Sequence, residues 1–442
     1  MSKPIVAIVG RPNVGKSTLF NGLAGENISI VKDTPGVTRD RIYADVHWLN
    51  WNFTLIDTGG IEPESRDVIL SQMREQAMIA IDTADVILFL TDVRQGLTDA
   101  DSKVADMLRR SGKPVVLAVN KVDNFSRQMM DVYEFYNLGL GEPHAISASG
   151  KLGLGDLLDV LAEYFPKNDE EKEEDEIPKI AIVGKPNVGK SSIINKLLGQ
   201  NRVIVSNVAG TTRDAIDTNV RWSGKDYIFI DTAGLRRKSR VSEELERYSI
   251  IRTVSAVERA DVVIIVIDAV EGVTEQDAKI AGIAHDRGKG IIIAVNKWDA
   301  IEKNDKTVKE YSDRIRSVLS FMPYAEILFV SAVTGQRLPR LFETIDVVLE
   351  NQTLRIATGV LNEILAEAVA MQQPPSDKGR RLKIFYMTEV AVKPPTFVVF
   401  VNEKKLMHFS YLRYLENKIR EAFGFRGTAL KFIVRERKEK EA

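Results

Sequence analysis

The sequence GRPNVGKST occupies residues 10–18, and GKPNVGKSS occupies residues 184–192. Each follows a short apolar run, PIVAIV (4–9) or KIAIV (179–183), and each opens a helical pattern, TLFNGLAG or SIINKLLG. A GxxxxGK[ST] stretch between a strand and a helix is a phosphate-binding loop. Its glycines let backbone N–H groups close around phosphate oxygens at a helix N-terminus. A tight turn alone would not require the lysine that follows in both copies. Gly10, Gly15, Gly184 and Gly189 shape the loops, while Lys16 and Lys190 are placed to bridge the β- and γ-phosphates. Ser17 and Ser191 are candidate Mg²⁺ ligands, and Thr18 and Ser192 complete the nucleotide-contacting set.

The two loops lie 174 positions apart, and the same offset carries Thr38 onto Thr212 and DTGG (57–60) onto DTAG (231–234). NKVD (120–123) returns as NKWD (296–299) at an offset of 176, and SAS (147–149) as SAV (331–333) at 184. Five motifs in one order mean a duplicated domain, with insertions falling between motifs where surface loops tolerate them. Each copy alternates helical patterns with Val- and Ile-rich runs such as ADVILFL (84–90) and ADVVIIVI (260–267). These runs lack polar alternation, so they read as strands buried on both faces: a parallel sheet between helices. The expected organisation is 1–166, an acidic linker at 167–178, a second copy at 179–350, and a third domain at 351–442.

Asp57 and Asp231 end apolar strands, where a carboxylate can hold Mg²⁺, and Gly60 and Gly234 offer an N–H to the γ-phosphate. NKxD decides the base. Asp123 or Asp299 can accept from both N1–H and N2–H₂ of guanine, and adenine has no such donor pair. Asn120 and Asn296 are expected at the purine's other edge, beside Lys121 and Lys297. Ser147–Ala148 and Ser331–Ala332 are expected to bring a backbone N–H to guanine O6. Thr38 and Thr212 are candidate switch threonines that reach Mg²⁺ and the γ-phosphate only in the GTP state.

The chain has 442 residues, a net charge of −1 and no cysteine, which removes disulfides, thiolate metal sites and cysteine nucleophiles and fits a reducing cytoplasm. Its N-terminal apolar run is too short for a signal peptide, and no apolar stretch reaches the length of a membrane span. From Leu354 onward, 17 Lys and Arg stand against 10 Asp and Glu, a local balance of +7. That segment predicts helix 358–371, strands 381–390 and 395–402, helix 410–424 and strand 429–437. Its GFRG (424–427) tempts an RNA-clamping reading, but it ends a helix and precedes a strand, so Gly424 reads as a helix cap. The segment RRKSR (236–240) follows the second DTAG and is a candidate nucleotide-gated RNA contact.

Tandem phosphate loops with DTGG/DTAG and NKVD/NKWD, then a small basic α+β domain, resemble the bacterial Der (EngA) family of GTPases over essentially the whole chain. The resemblance implies two P-loop GTPase domains and a C-terminal KH-like α+β domain. It also implies GTP or GDP with Mg²⁺ as ligands and a role in maturation of the large ribosomal subunit through rRNA. No DNA partner, a cytoplasmic location and a monomeric state are the accompanying expectations. Many GTPases carry a water-orienting glutamine after DxxG, where Ile61 and Leu235 stand here. Relatives with this substitution use a bound K⁺ held partly by a loop asparagine, which places Asn13 and Asn187 in that role; the plainer reading is that asparagine suits a tight turn. Slow unassisted hydrolysis is expected. A tRNA-modification GTPase is disfavoured by two G domains and the missing cysteine, and a scaffold with degenerate sites by the intact motifs in both copies.

Overall fold

The computed structural model describes residues 3–26, 43–58, 66–165, 177–199, 203–205, 217–232, 244–377 and 380–437. Thr38, Arg39, Gly60, Ile61, Thr212, Arg213, Gly234, Leu235, the RRKSR segment and nearly all of the acidic linker lie outside them. The chain divides into two units; the described residues of the first are those up to 165 together with 244–258, and the second holds the rest.

In the first unit, strands β1 (Ile5–Gly10), β2 (Tyr43–Trp48), β3 (Trp51–Asp57), β4 (Val86–Asp92), β5 (Val115–Asn120) and β6 (Pro143–Ala145) form a sheet in the order β2-β3-β1-β4-β5-β6. The sequence of its central strands explains itself in the packing. Ile5, Ala7 and Val9 enter one core with Ile87, Phe89, Leu117 and Val119. Val6 and Ile8 enter the core on the opposite face with Leu88, Leu90, Val116 and Ala118. Both faces are covered, so no polar alternation survives. Residues 244–258, which sequence order places in the second repeat, belong to the first unit: Ile251 joins the core of Met73 and Ala77, and Thr54 Oγ1 donates to Glu258 Oε1 at 3.0 Å.

The second unit repeats the plan. Strands β7 (Lys179–Val183), β8 (Val203–Val205), β9 (Thr218–Trp222), β10 (Lys225–Ile230), β11 (Val262–Asp268), β12 (Gly290–Asn296) and β13 (Glu326–Phe329) run in the order β13-β12-β11-β7-β10-β9-β8. The expected all-parallel sheet needs one correction in each copy. β2 pairs antiparallel with β3, and β9 with both β10 and β8. Their sequences, YADVHW and TNVRW, mix polar and apolar residues because only one face is covered. Ser223 and Gly224, with φ 48° and 84°, make the two-residue turn between β9 and β10.

After the helix Pro339–Thr353 comes the basic domain. Helix Thr358–Met371 leads to a short β14 (Ser376–Asp377) and β15 (Arg380–Arg381) ribbon, then β16 (Ile384–Ala391), β17 (Thr396–Val401), helix Phe409–Phe423 and β18 (Lys431–Glu436). β16 pairs antiparallel with β17, and β18 pairs parallel with it. Gly424 caps the second helix, its N–H donating to Arg420 O at 2.8 Å. The rest of GFRG is a joint inside the second unit. Phe425 is buried, Gly427 N–H donates to Tyr324 O at 2.8 Å, and Ile291 N–H donates to Gly427 O at 2.7 Å. Arg426 makes a two-pronged contact with Glu326, at 2.9 and 2.7 Å. A Cβ on Gly427 would stand 2.3 Å from Val348, so this glycine serves close packing.

Candidate functional site

At the C-terminal end of β1 the chain turns through Arg11–Gly15 into the helix Lys16–Glu26, and β7 enters the helix Lys190–Leu198 in the same way. Asn13 and Asn187 take positive φ, 64° and 63°, which asparagine tolerates better than most residues. Gly15 and Gly189 follow with φ 99° and 97°, and a Cβ on either would lie 2.3 or 2.2 Å from the amide nitrogen of Asn120 or Asn296. The loops are therefore closed against the asparagine of NKxD, and no larger residue fits.

Lys16 Nζ donates to Gly10 O and Arg11 O, both at 2.7 Å; Lys190 Nζ donates to Gly184 O and Lys185 O, both at 2.6 Å. Each ammonium thus caps the carbonyls of its own loop. Burial pushes Lys16 down to about 8, with the Asp57 charge pulling the other way. Lys190 is pushed down to about 8 by burial as well, opposed by Asp277.

At the base end, Asn120 Nδ2 donates to Val14 O at 2.7 Å, and its Oδ1 accepts from Ala148 N–H at 2.9 Å. Asn296 does the same between Val188 O at 2.8 Å and Ala332 N–H at 3.0 Å. This adds a duty that the motif did not announce. The asparagine is first a staple joining the phosphate loop to the SA loop, with one amide N–H left over for a purine. Within the SA loops, the alanine N–H is the one that meets the asparagine. Asp123 is half-exposed; its carboxyl is held below the usual range by the Ser147 hydroxyl and then by Arg94. Asp299 is exposed in the short helix Trp298–Ala300.

Residues 5–121 and 179–297 match the family described as a 50S ribosome-binding GTPase, and residues 355–435 match the KH-domain-like C-terminal domain of EngA bacterial GTPase enzymes. GTPase Der of Agathobacter rectalis is 76% identical over 441 residues, spanning 100% of both chains. GTPase Der of Lachnoclostridium phytofermentans is 75% identical over 439 residues, 99% of this chain and 100% of the relative. The chain belongs to the Der (EngA) family of GTPases.

It therefore binds guanine nucleotide with Mg²⁺ and hydrolyses GTP, and the local chemistry fits that ion. Ser17 Oγ donates to Asp57 Oδ2 at 3.1 Å, so a hydroxyl and a carboxylate converge one residue from Lys16. Oxygen ligands of this kind suit Mg²⁺, which keeps several waters and leans on substrate phosphates. In the second copy Asp231 follows β10 with φ 54°, its N–H donating to Asp217 Oδ1 at 3.0 Å. Among the described residues no group of three or more His, Cys, Asp or Glu side chains is placed to hold a metal ion, and no helix is long and apolar enough to cross a membrane.

Several supporting contacts escaped the sequence reading. Lys121 Nζ donates to Asp92 Oδ2 and to Asn13 O, both at 2.7 Å, and Lys297 Nζ reaches Asp268 Oδ2 at 2.5 Å. Burial would raise Asp268, yet hydrogen bonds from Lys297 and the Val270 N–H hold it below the usual range. Arg11 Nε donates to the fully buried Asp101 at 2.8 Å, tying the first loop to the helix Asp99–Ser111. The equivalent Lys185 contacts Glu271 at 2.8 Å and approaches Asp277 only to 3.7 Å, and among the described residues Asp277 Oδ1 has no hydrogen-bond partner. The signal was present: Asp92 and Asp101 recur as Asp268 and Asp277 at the offset of 176 that carries NKxD.

Proposed function

We propose that the chain is a two-site GTP switch acting in maturation of the large ribosomal subunit: the GTP form binds a ribosomal precursor and hydrolysis releases it. The observation that carries this reading is that one chain presents two complete sets, Lys16, Ser17, Asp57, Asn120 and Asp123, and Lys190, Ser191, Asp231, Asn296 and Asp299, within a family described as 50S ribosome-binding. Two independent sites define more than two conformations. The basic third domain supports an rRNA partner. Lys404, Lys405, Lys431 and Arg435 are exposed on it, whereas in GFRG Phe425 and Gly427 are buried and Arg426 is paired with Glu326. RNA contact is therefore assigned to the exposed basic residues, with RRKSR as a nucleotide-gated addition. Co-sedimentation with ribosomal subunits tests this. The expected result is binding to the large subunit with a non-hydrolysable GTP analogue and none with GDP; equal binding in both states, or none in either, refutes the switch.

The residues of the phosphate loop supply hydrogen-bond donors and one ammonium where negative charge develops, and Mg²⁺ adds a further counter-charge to the phosphates. Ile61 and Leu235 cannot orient water, so unassisted hydrolysis is assigned the slow range of about 10⁻⁴–10⁻² s⁻¹. K⁺ beside Asn13 and Asn187 would offset developing charge. GTP turnover is expected to rise when K⁺ replaces Na⁺ at constant ionic strength, and the rise is expected to vanish in an Asn13→Ala, Asn187→Ala double variant. An equal rate in both salts sinks the K⁺ assignment and leaves the asparagines their loop-shaping role.

A further inference from the structure

The two guanine ends hold their base-end aspartates differently, and the residue two positions beyond the strand aspartate is one source of the contrast. Arg94 and Val270 occupy equivalent positions, two residues beyond Asp92 and Asp268, and the N–H of each donates to that aspartate at 2.9 Å. The main chain is held alike at these two positions, so the contrast between Arg94 and Val270 lies in the side chain. Arg94 Nη2 donates to Asp123 Oδ2, and Ser147 Oγ donates to Asp123 Oδ1 at 2.7 Å. In the second copy Val270 is 63% exposed and offers no donor. Ser147 Oγ and Ser331 Oγ accept alike from Gly150 N–H and Thr334 N–H, both at 3.1 Å, yet among the described residues no hydrogen bond or ion pair reaches the Asp299 carboxylate.

A carboxylate has about four lone-pair positions, two on each oxygen. Arg94 and Ser147 take one on each oxygen, which leaves one on each for the N1–H and N2–H of guanine. The plane of the Asp123 carboxylate is thereby fixed before a base arrives, while Asp299 must be oriented by the base itself. Ordering a side chain on binding costs free energy that a pre-oriented group does not lose.

We propose that Arg94 is a positioning residue for guanine recognition at the first site, and that Val270 at its place leaves the second site the weaker discriminator of guanine. This rests on reading Asp123 as the base-recognising carboxylate. The pair is exposed, so its effect is modest and screened by salt: about two- to fivefold in affinity.

The test uses the full chain carrying Lys190→Ala, in which the second site is weakened, so that the tighter step of a titration with GTP or with ITP, whose base lacks the 2-amino group, reports the first site. Arg94→Val is expected to weaken GTP binding about two- to fivefold at low salt and to narrow the GTP-over-ITP preference. Arg94→Lys is expected to restore most of that preference. The difference between the Arg94→Val protein and its parent is expected to shrink near 0.5 M salt, which a purely structural role would not show. In the reciprocal Lys16→Ala background, Val270→Arg is expected to widen the preference at the second site. An unchanged GTP-to-ITP ratio in Arg94→Val overturns the proposal. So does tighter GTP binding, which would mean that the arginine competes with the base for Oδ2. Equal binding of GTP and ITP by the first site with Arg94 intact would instead overturn the guanine reading itself, before any substitution at 94 is compared.

Discussion

Asp123→Asn and Asp299→Asn are each expected to move their own site from GTP toward XTP by a factor on the order of 10³–10⁴ in relative affinity. Guanine presents two donors, N1–H and N2–H₂, and a carboxylate meets both with acceptors. Asparagine keeps one acceptor and turns an NH₂ toward the second donor, leaving two donors facing each other. Xanthine carries a carbonyl oxygen in place of the 2-amino group, so it matches the amide. A site built around hydrogen bonds rejects a mismatched partner far more strongly than an apolar pocket rejects a lost methylene, because the unpaired polar groups remain desolvated. Both carboxylates are exposed, which places the effect at the lower end of that range. Displacement of a fluorescent GDP analogue by GTP and XTP measures it, and an unchanged GTP-to-XTP ratio would remove the aspartate from base recognition. In the first site the same substitution also strips Arg94 of its ion-pair partner. The two variants should therefore differ in their residual GTP affinity.

What the sequence made legible follows from where the physics is local. The strand-loop-helix passage at 4–25 can be read because burial on both faces, glycine conformation and the lysine all act within one short stretch. The offset of 174 then carries the reading to the second copy without new information. The basic domain was legible for the same reason: the helix expected at 358–371 is found at Thr358–Met371. β2 and β9 were missed because a strand that mixes polar and apolar residues carries a weak pattern, and the edge strand β8 has only three residues. The place of residues 244–258 in the first unit could not be read at all, since it depends on partners such as Thr54 and Thr83 that sequence order puts far away.

The site shows the same division. Residues expected to meet ligand announce themselves by motif, and the phosphate loops, Asp57 and the NKxD stretches lie at or just beyond the C-terminal ends of sheet strands. Residues that hold those residues do not. Asp92 and Asp101 look like any acidic positions after a strand or at a helix start, yet both are buried and each fixes a basic side chain of the nucleotide site. Asn120 was recognised as a site residue, but its stapling duty was not, because a motif names a residue type and not the carbonyl that its amide will meet. Only the placement of Val14 and Ala148 reveals the staple.

Lys16→Ala and Lys190→Ala are each expected to lower GTP turnover at their own site by about 10²–10³, the cost of removing one preorganised donor from developing phosphate charge. The lysines also set a pH dependence whose sign can be worked out. Both ammonium groups are pushed down to about 8, chiefly by burial. Above that value the nucleotide-free fold holds these lysines neutral, while the unfolded chain keeps them protonated up to the ordinary lysine value of 10.5. The folded state then binds fewer protons than the unfolded one, so the lysine contribution to stability without nucleotide rises with pH between about 8 and 10.5. Nucleotide binding moves the other way. A phosphate beside Nζ favours the charged form, so binding above about pH 8 must take up a proton, and affinity falls by up to about tenfold per pH unit per site. Guanine N1–H also titrates in alkaline solution, but that contribution belongs to the ligand and persists in the lysine variants. Calorimetric GDP titrations from pH 7 to 9 in Lys16→Ala, Lys190→Ala and unsubstituted protein isolate the difference. The unsubstituted chain should lose affinity more steeply than either variant, and its binding heat should depend on the ionisation enthalpy of the buffer. Parallel slopes in all three proteins would show that neither lysine enters the bound state by taking up a proton, and would remove burial as the cause of the dependence.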